Sequence, residues 1–232
     1  MQYRVRLARL LLASAMAVGL GGAVSATGAA EPPSLGKVAA PGMTISTDTQ
    51  TCALGAVGTI GGIVSGAQYG VTAAHCFEDG KPVYGGSKQK PWLLGHYEKG
   101  FGTDSSPAEL GFALIRLEPD VFMRAFLPDE TVINTADTAA SPGQEVCHIG
   151  YGTGWNCGTV TTVADAYFKT NFPSDHGDSG GVVYHKTSNK TVDFLGILIG
   201  RTDDGQALIE TATHLQSLIS AHAGGQFDWY TE

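Results

Sequence analysis

Val71-Thr72-Ala73-Ala74-His75-Cys76 and, far downstream, Gly177-Asp178-Ser179-Gly180-Gly181 are the two stretches that decide the fold of this chain. The first is an apolar, β-type run that ends in a histidine and a cysteine. The second sets a serine inside a glycine-rich turn. A serine hydroxyl becomes a useful nucleophile only with a base in hydrogen-bond reach. Flanking glycines let the backbone turn tightly and aim N–H groups at a developing negative oxygen. Alone, each stretch reads equally well as a structural histidine or a plain Gly-Ser loop. Together, in this order, they point to His75 as base and Ser179 as nucleophile.

Working outward, short β-type runs alternate with Gly, Pro and Asp punctuation: residues 59–64, 68–73, 91–97, 110–117, 146–151, 158–164, 180–184 and 192–199. With 32 glycines and no helical pattern between the runs, an all-β sandwich or barrel is expected rather than a parallel α/β sheet. One helix is expected at the C-terminus, capped by Thr213 with Gln216 reaching back. Its face would carry Leu215, Leu218, Ile219 and His222, and Gly224-Gly225 would end it. The polar stretch 128–142 reads as a linker between halves at 51–135 and 136–225, with 226–232 as a tail.

The N-terminus carries Arg4, Arg6 and Arg9, an apolar stretch from Leu10 to Leu20, then small residues to Ala30. That is the pattern of a signal peptide over 1–30, cleaved after Ala26 or Ala30, followed by a Pro-bearing lead-in over 31–50. A retained membrane anchor is the rival reading, but the apolar part is short for a span of about 20 residues. Net charge is −8, so neither nucleic acid nor an anionic membrane is an expected partner. Four cysteines allow three pairings. The local one, Cys52–Cys76 with Cys147–Cys157, closes two short loops in separate halves and suits an oxidising compartment. A metal site at His75 and Cys76 is the alternative, without C-x-x-C or H-x-x-x-H spacing to support it.

The T-A-A-H-C and G-D-S-G-G motifs resemble those of the chymotrypsin-like (trypsin-fold) serine peptidases, in particular the small bacterial secreted branch that includes the streptogrisins. Cys147-His148-Ile149-Gly150-Tyr151-Gly152-Thr153-Gly154-Trp155-Asn156-Cys157, followed by Gly158-Thr159-Val160, is similar to a streptogrisin segment with the same two-cysteine spacing. The resemblance runs from Cys52 to His222. It implies two antiparallel six-stranded β-barrels with a C-terminal helix, the site lying between the barrels. It further implies His75 as general base and then acid, Ser179 as nucleophile, and the N–H groups of Gly177 and Ser179 as oxyanion hole. No metal or organic cofactor is implied. A monomer acting on proteins or peptides is expected.

The family's third catalytic residue, an Asp that orients the imidazole, falls at Gly111 when the strand Ala113–Leu117 is aligned. Glu109, two residues earlier, is the candidate replacement. It is offset by about 6.6–6.8 Å along a strand, so the chain would have to bulge there. Otherwise Glu109 is a solvated strand-end charge. Asp104 in the preceding loop is a further candidate. Val182 follows G-D-S-G-G where the family has Pro. In the substrate-binding wall Leu198-Ile199-Gly200, Ile199 replaces a small Ser and would narrow the primary pocket. Pro173, six before Ser179, is not the acid expected for cleavage after Lys or Arg.

The resemblance also makes Asp178 buried and in need of a partner. The streptogrisin branch supplies an Arg after the first cysteine of the two-cysteine segment; here that residue is His148. A direct Asp178–His148 pair is therefore expected, raising the His148 pKa, with a surface histidine as the alternative. Ile60-Gly61-Gly62-Ile63 resembles the new N-terminus of animal zymogens but lacks a preceding Arg or Lys, so activation by cleavage is not expected. The sequence thus favours a secreted serine endopeptidase. A catalytically impaired relative that binds peptides, and an esterase-like hydrolase on the same Ser–His pair, are the alternatives.

Overall fold

The computed structural model describes residues 36–103 and 109–231. The expected signal peptide and the candidate Asp104 lie outside them. Two antiparallel sheets account for most of the described chain. In the second unit, the strands Glu145–Gly150, Gly154–Val163, Tyr167–Thr170, Ala207–Thr211, Thr191–Arg201 and Val182–Lys186 pair in a closed ring. The first unit is the expected barrel with one refinement. Its eight strands form a half-barrel, with Phe227–Trp229 at one edge and Thr51–Ala53 at the other.

Residues outside the two expected halves join the first sheet, and the end of the first expected half joins the second. Thr44–Ser46, in the lead-in, pairs with Thr51–Ala53. Phe227–Trp229, read as tail, pairs with Ala56–Ile60. The linker contributes Val132–Thr135, which runs parallel to the start of Thr191–Arg201. The central strands Ala67–Ala73 and Gly111–Leu117 are near-continuous apolar runs buried on both faces. Val71, Ala73, Phe112, Leu114 and Leu94 are all buried at 1% exposure or less. Burying each such large side chain contributes roughly 1.5–3 kcal/mol.

The helix spans Ala212–His222 and buries Ala212, Leu215 and Ile219; of the expected face, Leu218 is half-buried and His222 exposed. Its cap differs from expectation. Thr211, not Thr213, accepts a hydrogen bond from the His214 N–H at 3.3 Å. Gln216 donates to the Phe227 carbonyl at 2.9 Å instead of reaching back. The final strand of the chain competes successfully for that amide. His222, at the helix end, stacks on Phe101 of the first sheet with ring centroids 3.7 Å apart.

All four cysteines are paired, Cys52 with Cys76 and Cys147 with Cys157, which removes them from any metal reading. The first bond ties an edge strand to the short 3-10 turn Ala74–Cys76 that carries His75. The second joins residues directly opposite each other on adjacent strands.

Gly111 opens the strand Gly111–Leu117 opposite Gly102. Its φ of 143° lies where side-chain-bearing residues are rarely found, and a Cβ there would collide with the Phe101 carbonyl. The place of the missing acid therefore has a glycine-only backbone. Gly111→Asp is expected to lower unfolding free energy by about 2 kcal/mol or more, measured by chemical denaturation.

Candidate active site

Ser179 and His75 come from different sheets and meet because the serine turn is fastened to the first one. The Ala53 N–H donates to the Ser179 carbonyl at 2.8 Å, and the Thr72 hydroxyl donates to the Ala53 carbonyl at 2.8 Å. Gly180, with φ of 80°, lies against Thr72 so closely that no side chain fits. Thr72 belongs to the strand Ala67–Ala73, whose end delivers His75. His75 and Ser179 consequently line one cleft of about 470 Å³ with Ser174, Asp175, His176, Leu198, Ile199, Gly200 and Arg201.

Asp178 organises the turn around the serine. It is fully buried. Its Oδ1 accepts from the N–H groups of Gly152 (2.6 Å) and Thr153 (3.0 Å), and its Oδ2 from the Thr153 hydroxyl (2.7 Å) and the Asp175 N–H (2.8 Å). Gly177, with φ of 92°, packs against the Tyr151 ring. Among the described residues, neither the Gly177 nor the Ser179 amide is spent on a protein acceptor. Both N–H groups remain available to a ligand oxygen.

The expected Asp178–His148 pair needs correcting on both geometry and sign. Thr153 stands between them: its hydroxyl donates to Asp178, so the His148 Nε2–H donates to Thr153 at 3.1 Å. His148 Nδ1 is buried without a well-formed hydrogen bond, its weak backbone contact being with the Pro173 carbonyl. The ring is stacked on Phe172 at 4.6 Å. Burial, the largest influence, holds the His148 pKa below its ordinary value, against the opposing Asp178 charge and Pro173 carbonyl. A single threonine hydroxyl is enough to remove the need for a cation.

His75 also has its pKa lowered, by burial. Among the described residues its ring nitrogens make no hydrogen bond, and no carboxylate opposes the shift. The Glu109 carboxylate lies over the Cα of Gly102. A different acid occupies the neighbourhood of Gly111. Glu210, fully buried in the second sheet, accepts from the Gly111 N–H at 2.6 Å and meets His214 Nδ1 at 2.8 Å. Desolvation pushes the Glu210 carboxyl up to about 8, against the Gly111 N–H, while burial lowers His214. Both shifts run against an ion pair between Glu210 and His214. Glu210 was not singled out from sequence; its signal was a lone acid after the apolar run Ala207-Leu208-Ile209. Pro173 is exposed, and Val182 and Ile199 are fully buried.

A closed β-barrel beside a half-barrel, with serine and histidine facing one cleft, defines a chymotrypsin-like serine-peptidase scaffold. Residues 45–221 match the family model described as Trypsin, and the chain belongs to that family. It is 31% identical over 205 residues to the uncharacterized protein MT1863 of Mycobacterium tuberculosis, covering 83% of this chain and 86% of that one. Thermobifida fusca protease A matches the fold with a TM-score of 0.61 at 18% identity, over 84% of this chain and 100% of that one. Nocardiopsis protease matches with a TM-score of 0.62, also at 18% identity and with the same coverage of both chains.

Two pH dependences of stability follow. The folded His148 pKa lies below the unfolded value of about 6.5, so its contribution is complete above that value and is lost as pH falls. The loss is at most about 1.4 kcal/mol per pH unit; His148→Gln should flatten denaturation midpoints on the acid side. Glu210 acts in the opposite sense, because its folded pKa lies above the ordinary value of 4.5. Its contribution is complete below that value and disappears as pH rises through about 8. Glu210→Gln should remove the decline between those limits in the same measurement.

Proposed function

We propose that the chain is a secreted serine endopeptidase that cleaves protein or peptide bonds through an acyl-enzyme. The supporting observation is that Ser179 and His75 share one cleft beside two unspent amides. In this reading the Ser179 Oγ attacks the substrate carbonyl carbon as His75 takes its proton. The Gly177 and Ser179 N–H groups hold the resulting oxyanion. His75 then protonates the leaving amine, and water, deprotonated by the same imidazole, releases the acid. Burial favours neutral His75, the form able to accept the first proton. The basic N-terminal segment and two disulfides favour export.

One observation favours a second reading, a catalytically impaired peptide binder. Position 111 carries no acid, and His75 has no orienting hydrogen bond among the described residues. Replacing the acid of a Ser-His-Asp triad costs about 10⁴ in kcat. We therefore assign Glu109 no more than a supporting place in the proposed chemistry, and a slow enzyme is expected.

A fluorophosphonate probe tests the two readings without requiring the right peptide. Stoichiometric mass addition to the folded protein, lost in Ser179→Ala, is the expected outcome. Folded protein left unlabelled from mildly acid to mildly alkaline pH would overturn the peptidase reading in favour of the peptide binder.

A further inference from the structure

The cleft beside Ser179 holds a cation. Arg201 ends the strand Thr191–Arg201 and is part of the cleft wall. Its guanidinium folds back so that Nη1 donates to the Ser174 carbonyl at 3.1 Å and Nη2 to the Gly205 carbonyl at 3.2 Å. Both anchors are backbone carbonyls. Among the described residues no carboxylate approaches within ion-pair distance of Arg201. A guanidinium has five N–H donors in a fixed fork, so donors remain for an incoming acid.

A second observation concerns Ser174, the residue whose carbonyl anchors Arg201. Ser174 is 4% exposed, and its buried hydroxyl has no hydrogen-bond partner. A buried hydroxyl without a partner is costly, and here it borders the same cleft as the guanidinium. Leu198 and Ile199, both buried, supply apolar surface that would strengthen a charge-assisted hydrogen bond made beside them. Two further titratable groups face this space. Asp175 Oδ1 accepts from the His176 N–H at 2.7 Å, and both residues are exposed at the cleft mouth. Arg201 is exposed as well, and its two carbonyl anchors hold the guanidinium beside the cleft.

We propose that this cleft selects an acidic side chain, Asp or Glu, on the acyl side of the cleaved bond, with Arg201 and Ser174 as its donors. The assignment rests on the reading of Ser179 as an activated nucleophile in a peptide cleft. It also gives Pro173 a consistent place, since a pocket for acids has no use for a negative residue there.

Peptidyl diphenyl phosphonates carrying Glu, Asp, Phe or Lys analogues at the position next to phosphorus test it. Ser179 Oγ displaces one phenoxide as its proton passes to His75, and the adduct is read by intact mass. Rates are expressed relative to fluorophosphonate labelling of the same variant. The acidic probes are expected to react at least about tenfold faster than the Phe and Lys probes. Arg201→Ala should bring the ratios near parity, and Arg201→Lys should restore part of the preference. Preference for Phe in the wild type, or an acidic preference that survives Arg201→Ala, would overturn the assignment. Faster Phe labelling in Arg201→Ala, with no acidic preference in the wild type, would instead identify Arg201 as a plug. If fluorophosphonate labels nothing, the nucleophile reading fails separately. Fluorescence anisotropy then decides the charge question: peptides with Glu must bind the wild type more tightly than their Gln counterparts, and the difference must vanish in Arg201→Ala.

Discussion

The buried carboxylate of Asp178 is the constraint on which the cleft depends. A fully desolvated anion survives only if its oxygens are filled with donors, and this one takes four. Three come from Gly152 and Thr153 and one from Asp175, so a single side chain sets both the segment after Tyr151 and the turn that carries Ser179. Among the described residues the amides of Gly177 and Ser179 meet no protein acceptor. Related scaffolds meet the same demand with a cation. Here backbone amides and a threonine hydroxyl meet it, and His148 lies behind them as a neutral donor.

Among the described residues, no carboxylate opposes the burial of His75. The Gly111 N–H is taken by buried Glu210, which also meets His214 in a pair whose two shifts both disfavour charge. Electrostatic work in the cleft shifts instead to Arg201, at the far end of the strand that forms its wall. The described cleft thus carries a guanidinium on its wall and an imidazole whose burial no described carboxylate offsets.

Much of this architecture was legible because short apolar runs are bounded by turn-forming residues along the central strands. His75 and Ser179 stood out because each sits where an apolar run meets a small-residue turn. What the sequence concealed has physical causes. Phe227–Trp229 is short and follows a glycine pair, so nothing local separates it from a tail; its pairing with Ala56–Ile60 is non-local. The helix cap moved to Thr211 because two threonines compete and the final strand claims Gln216. Thr153 was hidden because a hydroxyl between an acid and an imidazole leaves no spacing signature. The sign of the His148 shift turned on burial outweighing an attractive charge, a balance set by packing against Phe172.

Gly111 has a consequence for how this chain is able to change over generations. Its backbone torsion is open to glycine and closed to aspartate, so the orienting acid cannot return by one codon step. The strand opposite, at Phe101 and Gly102, would have to move first, and that movement confers nothing until the acid arrives. A lineage that has entered this state is held there by geometry, and selection is left to act on the cleft walls instead.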